Sequence, residues 1–493
     1  MNIKKIYPAE WRKTHPDGMV ADSDHYYANL ANRVAQILAH SGIDEAFPDG
    51  DSIRYAAMRL TAYFEDICTG VGIWKTLNDT CRKRYGKPLP FHDTTDYCPG
   101  EPNRQDVQLL LWDIIQSYDC ERFINPENPG IAFAAGDIYG IFDQEYETAP
   151  DTPELTDYLR NPSMQSDFWQ MRKRIEWIFM QSYINLRGRL DFADSLAEIS
   201  HSEHAEQEAY NNYIHHLFTD RHNMAVLTPG EWLSALSDQR IHLDASLFAN
   251  RCYRIVGIED EALRVRDLVN DKELSVEKVS FEEKWVNNFR LSADSNDLYM
   301  GLVRYNDKYY QCGSMLEIPA GRLNPVLEQV RRHDYQKSLM PSNEESFYKA
   351  SGGKPIVFLK GIDAIKDFYG KKIGIPLTGD HLQQMLQTIR EQTDDGMVAV
   401  MGTPNQGNLI ITGHIPAIKH KDNPFYDKEY ASKYGQGLLM DPMAIDYSAV
   451  CTMIDQGMLA DVALNSLRGP EYGRQLLQDN IQFVADYMFA QHR

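Results

Sequence analysis

The feature that most constrains this chain is a change of hydrophobic period. Through the first half, apolar residues recur every three or four positions, the spacing of one buried helix face. Ser23 or Asp22 caps a helix with Tyr27, Leu30, Val34, Ile37 and Leu38 inward. A second follows Asp51, with Ile53, Ala57, Leu60, Phe64 and Ile67 in register and Gly70 or Gly72 ending it. Gln105 to Tyr118 reads as a third and Asp137 to Glu147 as a shorter fourth. A long helical stretch opens near Phe168, with Gly188 as a candidate interruption, and runs on toward Phe218. At Thr228-Pro-Gly230 the character changes.

From Arg251 to Ile318 the period drops to two. Arg251-Cys-Tyr-Arg-Ile-Val-Gly-Ile258, Ala262-Leu-Arg-Val-Arg-Asp-Leu-Val269 and Glu273-Leu-Ser-Val-Glu-Lys-Val279 alternate. Asn270-Asp271 and Asn306-Asp307 supply turn chemistry between the runs. This is the pattern of a small antiparallel β-barrel. Arg331 to Lys354 is charged and turn-rich, a connection with some helix. Beyond it, Ile356-Val-Phe-Leu359 reads as a strand, Asp380 to Gln392 as a helix, and Met397-Val-Ala-Val-Met401 with Leu409-Ile-Ile-Thr412 as a hairpin. The last helix opens at Gly469-Pro470. The expected class is α+β. A helical domain spans 1–225, a small β-barrel 226–325, a linker 326–354 and an α+β domain 355–493.

Charge narrows the function classes. The formal net charge is −21 over 493 residues. Such a chain repels phosphate backbones, so nucleic acid is not an expected partner. The N-terminal segment has no apolar core of a secretory signal, and no apolar run reaches the roughly 18 residues of a membrane span. Seven cysteines are scattered without a Cys-x-x-Cys pair, which suits a reducing compartment. The expected location is the cytoplasm, away from membranes.

The densest chemistry lies between His201 and His222. His201, His204, His215, His216 and His222 share this stretch with Glu203, Glu206 and Glu208. On a helix, His201, His204, Glu208 and His215 fall on one stripe, as metal ligands do. That stripe points away from the apolar one, and no His-Glu-x-x-His motif accompanies it, so a solvated face is the expectation. Ser351-Gly-Gly-Lys354 lacks the order of a phosphate loop, because proline follows the lysine. Gly-x-Ser-x-Gly is absent. Asp137, Asp143, Glu145 and Glu147 read as a solvated helix face, and the basic runs Cys81-Arg-Lys-Arg-Tyr85 and Arg172-Lys-Arg174 as helix surface. Tyr299, Tyr305, Tyr309 and Tyr310 crowd two strands, where packing outranks base stacking.

Tyr7-Pro-Ala-Glu-Trp11, Tyr26-Tyr-Ala-Asn-Leu-Ala-Asn32 and Gln105-Asp-Val-Gln-Leu-Leu-Leu-Trp112 carry a resemblance. So do Asp422-Asn-Pro-Phe-Tyr-Asp427 and Leu464-Asn-Ser-Leu-Arg-Gly-Pro-Glu-Tyr-Gly473 with Arg474 to Asn480. Together they resemble, over the full length, a family of bacterial proteins associated with Bacteroidetes and catalogued as a domain of unknown function. The resemblance lends no activity. The segments Tyr253 to Gly257, Val265 to Val276 and Gly301 to Tyr305 are also similar to a β module of bacterial proteins that end in a zinc-binding motif, whose cysteine-rich motif this chain lacks. No catalytic or cofactor-binding residue is assigned and no cofactor is expected. The reading is a cytoplasmic interaction or regulatory protein with a protein partner and no catalytic site of its own. The alternatives are a metal-dependent enzyme using the 201–222 histidines and an RNA-linked factor acting through the barrel.

Overall fold

The computed structural model describes residues 3–119, 122–161, 167–200, 205–237, 239–246, 251–292, 296–322, 324–374, 387, 397–442 and 444–490. The chain forms two units. One comprises Met1–Thr80, Tyr97–Ser117 and Phe133–Asp334, the other Cys81–Asp96, Tyr118–Ala132 and Tyr335–Arg493.

The apolar stripes of the N-terminal half become helices. They are α1 (Pro8–Trp11), α2 (Asp24–His40), α3 (Gly50–Thr69), α4 (Ile73–Tyr85), α5 (Arg104–Tyr118), α6 (Pro129–Glu145), α7 (Pro153–Arg160), α8 (Phe168–Met180), α9 (Leu186–Ile199), α10 (Ala205–Thr219) and α11 (Pro229–Leu236). In α2, Tyr27, Leu30, Val34 and Leu38 are buried, and this face packs on α3. The α3 N-terminus is capped by Asp49, whose side chain accepts from the Ser52 N–H at 2.7 Å. Its C-terminus stops at Gly70, which takes φ 70°, a conformation that a Cβ would penalise. Trp11 stacks on Tyr27 at 5.7 Å and Phe64 on Phe142 at 4.6 Å, tying α1, α2, α3 and α6 into one core.

Two boundaries differ from the sequence reading. The fourth helix starts at Pro129, not near Asp137; Gly136 and Gly140 inside it dilute the periodic signal. Gly188 lies within α9, and the chain breaks between α8 and α9 instead, over residues 181–185. There Gly188 is a packing glycine: a Cβ on it would stand 2.7 Å from the Asn185 side-chain oxygen.

The alternating region closes into a five-stranded barrel of β2 (Arg251–Ile258), β3 (Ala262–Asp267), β4 (Glu273–Glu277), β5 (Asn296–Tyr305) and β6 (Lys308–Pro319), with the short β1 (Leu243–Asp244) added along β5. The strand order is β5-β2-β3-β4-β6, antiparallel throughout until β6 meets β4 in parallel at Val276 and Tyr309, and β5–β6 pairing completes the ring. Alternation decides the faces. Leu263 and Val265 of β3 point inward with Leu274, Val276, Leu298 and Met300, while Arg264 and Arg266 face out. Asn306 and Asp307 make the tight β5–β6 turn at φ 46° and 65°, the geometry of a two-residue hairpin. Helix α12 (Glu283–Ser292) sends Phe289 into the barrel core.

Residues 331–351, read above as a turn-rich connection with some helix, lie in the 28-residue helix α13 (Asn324–Ser351). Its many serines and charges sit largely at solvent, where binary pattern is a weak guide. In the second unit, β7 (Ile356–Lys360), β8 (Met397–Thr403) and β9 (Gly407–Ile411) form an antiparallel sheet in that order. It is followed by α14 (Ile362–Asp367) after β7, then α15 (Lys428–Tyr434), α16 (Tyr447–Asp455), α17 (Pro470–Gln478) and α18 (Ile481–Met488). The helix expected at Asp380 to Gln392 falls, apart from Gln387, outside the described residues.

The shared segment at 422–427 is a folding device. Asp422 pairs with Lys354 at 2.9 Å, and Asn423 donates to the Ile415 and Ile418 carbonyls. Tyr426 donates to Asp461 at 2.5 Å, and Asp427 caps α15. Among the described residues no helix is long and apolar enough to cross a membrane.

Candidate anion-binding cleft

Helix α3 carries Arg54, Tyr55, Met58 and Arg59 along its solvent-to-core edge. Tyr55 and Arg59 are one turn apart and share a face. The segment after α1 brings Lys13 and Thr14, α1 itself brings Glu10, the end of α8 brings Met180, and the first turn of α9 brings Arg189. These residues, with Asp51, Ala62, Gln181 and Tyr183, line a cleft of ≈ 430 Å³ inside the first unit. That volume lies in the range of small-molecule sites, about 300–1,000 Å³.

Each cation is held differently. Arg54 is neutralised: one guanidinium nitrogen pairs with Glu10 and another with Asp51 at 2.7 Å. Burial pushes Glu10 up, but the bonds from Arg54 and from the Tyr7 backbone outweigh it and hold the carboxyl low. Arg59 is only 2% exposed; it donates to the Tyr183 carbonyl and lies 5.6 Å from the Tyr55 ring centre. Arg189 lies 4.7 Å from the same ring. It makes no hydrogen bond or ion pair among the described residues, and burial alone draws its guanidinium down to about 10. It therefore stays charged at neutral pH, partly stripped of water and without a carboxylate. The buried Arg174 is a useful contrast, since the Tyr158 and Gln170 carbonyls accept from it at 2.7 and 2.8 Å.

Behind the cleft, sharing its Thr14, Ala62 and Tyr183 walls, is a chamber of ≈ 20 Å³ lined by His15, Glu65 and Asp66, room for about one water. Most of its polar groups are bonded to one another, although His15 Nδ1 has no hydrogen-bond partner among the described residues. His15 Nε2 meets Glu65 at 3.0 Å, and Thr152 donates to the other Glu65 oxygen at 2.7 Å. Asp66 accepts from the Gly72 and Trp74 N–H groups at 2.6 and 2.8 Å and from the Tyr183 hydroxyl at 2.6 Å. This network fastens α3 to the start of α4, to Thr152 before α7 and to Tyr183 after α8, which marks it as scaffold for the cleft.

The residues singled out from sequence are dispersed. His201, His204 and Glu203 lie outside the described residues. Glu208 and His215 are on α10, but His216 turns to Asp220 at 2.5 Å, and His222 is fully buried against Trp232. Among the described residues no three His, Cys, Asp or Glu side chains form a group able to hold a metal. Glu145 accepts from Tyr26 at 2.9 Å and pairs with Arg33, Asp143 accepts from Tyr139, and Asp137 is exposed. Tyr305 and Tyr310 are buried on Phe168, with Tyr310 stacked at 4.4 Å, so they offer no platform for bases. Gly352 and Gly353 take φ 70° and 82° and terminate α13.

Sequence reasoning did not find Arg54, Tyr55, Arg59 or Arg189. One signal was present. Met58-Arg59-Leu60 places an arginine at the depth of two buried neighbours, which is rare for a cation without a purpose.

The chain belongs to the family described as protein of unknown function (DUF3843), whose model matches residues 5–316 and 308–490. Every cleft residue falls within the first matched segment. No curated protein and no solved structure matches the chain.

Proposed function

We propose that this is a cytoplasmic regulatory or interaction protein whose first unit binds a small anion in the arginine-lined cleft, without catalytic turnover of its own. The observation that carries the reading is Arg189, a desolvated guanidinium facing a cleft with no acid to meet it. Beside it, the carboxylates of the cleft wall are Glu10 and Asp51, and both pair with Arg54. The charge of Arg189 is thus left unpaired among the described residues, in a chain of net charge −21. A local positive cleft in a negative molecule concentrates small anions while bulk repulsion turns polyanions away.

Two further features support the wider reading. None of the six described cysteines is in a disulfide, which fits a reducing compartment. On the surface, Arg172 lies over Trp169 at 5.3 Å and reaches the Tyr210 hydroxyl at 3.4 Å, with Trp169 36% and Tyr210 42% exposed. Trp, Tyr and Arg are the residue types that anchor protein interfaces, which favours a protein partner.

The test is calorimetric titration of citrate and of inorganic phosphate at low salt into the wild-type chain and Arg189→Ala. Saturable binding that weakens about tenfold or more in the variant is expected. Absence of heat and of any thermal shift with either anion would overturn the reading.

A further inference from the structure

We propose that the ligand of the cleft is a monocarboxylate with an apolar body, held through its carboxylate by Arg189. The inference rests on the anion-binding reading above and narrows it by charge, fork geometry and wall chemistry.

Charge comes first. Arg54 is matched by Glu10 and Asp51. Arg59 is 2% exposed and already bonded to the Tyr183 carbonyl. Lys13 is exposed, and its charge already acts on Glu10; at solvent it is hydrated and screened. Arg189 lines the cleft, is partly buried, and has neither hydrogen bond nor acid among the described residues. One free guanidinium answers one negative charge. A second charge on the ligand would be stripped of water without a partner, close to Glu10 and Asp51.

Fork geometry is the second constraint. Arg189 lies over the Tyr55 ring, 4.7 Å from its centre. The ring holds the guanidinium before any ligand arrives, so little side-chain entropy is lost on binding. A carboxylate is planar and takes two parallel N–H···O bonds from one guanidinium. A sulfonate brings a third oxygen that the same fork cannot reach.

The walls supply the third. Met58, Ala62 and Met180 line the cleft together with the Tyr55 ring. At ≈ 430 Å³ the space is far larger than an acetate ion. A small hydrophilic acid leaves those apolar walls wet. An apolar body covers them and gains about 25 cal/mol per Å² buried. Methionine side chains adapt their shape to such a body and make favourable contacts with aromatic rings.

Four probes separate the alternatives by calorimetry: benzoate, acetate, citrate and benzenesulfonate. Benzoate is expected to bind at least about tenfold tighter than acetate or citrate and about threefold tighter than benzenesulfonate. Arg189→Ala should lose at least about tenfold for benzoate. Arg189→Lys, which keeps the charge but not the fork, should lose less and should erase the preference for benzoate over benzenesulfonate. It also serves if the alanine variant does not fold. Met180→Ser should weaken benzoate by about threefold and acetate by less. Citrate binding as tightly as benzoate would overturn the single charge, acetate doing so the apolar body, and benzenesulfonate doing so the carboxylate, in each case leaving an anion site. Benzoate binding unchanged in Arg189→Ala would overturn the assignment to Arg189. If none of the four binds, the anion site itself is lost.

Discussion

Asp106 and His222 are both buried ionisable groups, and burial moves them in opposite senses. Asp106 is 1% exposed and accepts from the Tyr63 and Tyr97 hydroxyls at 2.8 and 3.3 Å. Burial raises it to about 7 against those bonds. Its folded value thus lies above the unfolded value of about 3.9. The stability it contributes is complete below pH ~4 and lost as the pH rises through ~7. His222 is the reverse. Burial, with Arg59 nearby, lowers it to about 3, and neither ring nitrogen has a hydrogen-bond partner among the described residues. Its contribution is complete above pH ~6.5 and lost as the pH falls toward ~3. The variants separate the two slopes. Asp106→Asn keeps an acceptor for Tyr63 and cannot ionise, so its urea midpoint should decline less than wild type between pH 5 and pH 8. His222→Leu should decline less between pH 7 and pH 4, and should cost little at pH 7, because it removes unsatisfied polar atoms. Parallel wild-type and variant curves would contradict both assignments.

At the scale of elements, glycine shows how packing overrides local preference. Gly140 lies inside α6 with nothing within 4 Å of an added Cβ. Alanine there should stabilise by about 0.5–1 kcal/mol, the ordinary gain in a helix interior. Gly473 lies inside α17, but its Cβ would stand 2.0 Å from the Leu464 carbonyl oxygen, and the Leu464 N–H already donates to the Gly473 carbonyl at 3.1 Å. Gly473→Ala must push two backbones apart, and a loss of more than about 3 kcal/mol is expected. Thermal melts of the two variants should shift in opposite directions. The same contrast explains what was legible in the sequence. The switch of period was legible because a stripe and an alternation are local patterns, and it located α2, α3, α5, much of α6, the helical stretch from α8 to α10 and the strands from 251 to 318, but not α4 or α7. The break after α8 was misplaced at Gly188 because a glycine that packs looks like a glycine that ends a helix. Of the cleft, only Arg59 between two apolar neighbours left a trace in the sequence. Glu10 and Arg54 are 44 positions apart, Arg189 lies much further along the chain, and no spacing rule links residues that only the packing of α1, α3 and α9 brings together.

Net charge acts on the whole molecule. A charge of −21 favours the more expanded unfolded chain through self-repulsion. Local pairs work the other way: Arg12 with Asp24 at 2.5 Å, Arg254 with Asp297 at 2.8 Å and Lys419 with Asp461 at 2.7 Å. Salt screens both, but unequally. The Debye length falls from about 30 Å at 0.01 M to about 3 Å at 1 M, so long-range repulsion between many exposed carboxylates is removed first. The pairs resist because one member of each, Asp24, Asp297 or Asp461, is nearly buried. The melting temperature should therefore rise between 20 and 500 mM sodium chloride. Anion binding in the cleft should respond in the opposite direction, because the attraction between Arg189 and a ligand is screened and chloride competes for the same guanidinium. Measured on one preparation, the two trends distinguish global from local electrostatics. A melting temperature that falls with salt would mean that the short-range pairs outweigh the net charge. A ligand affinity indifferent to salt would mean that the apolar walls, and not the arginines, hold the ligand.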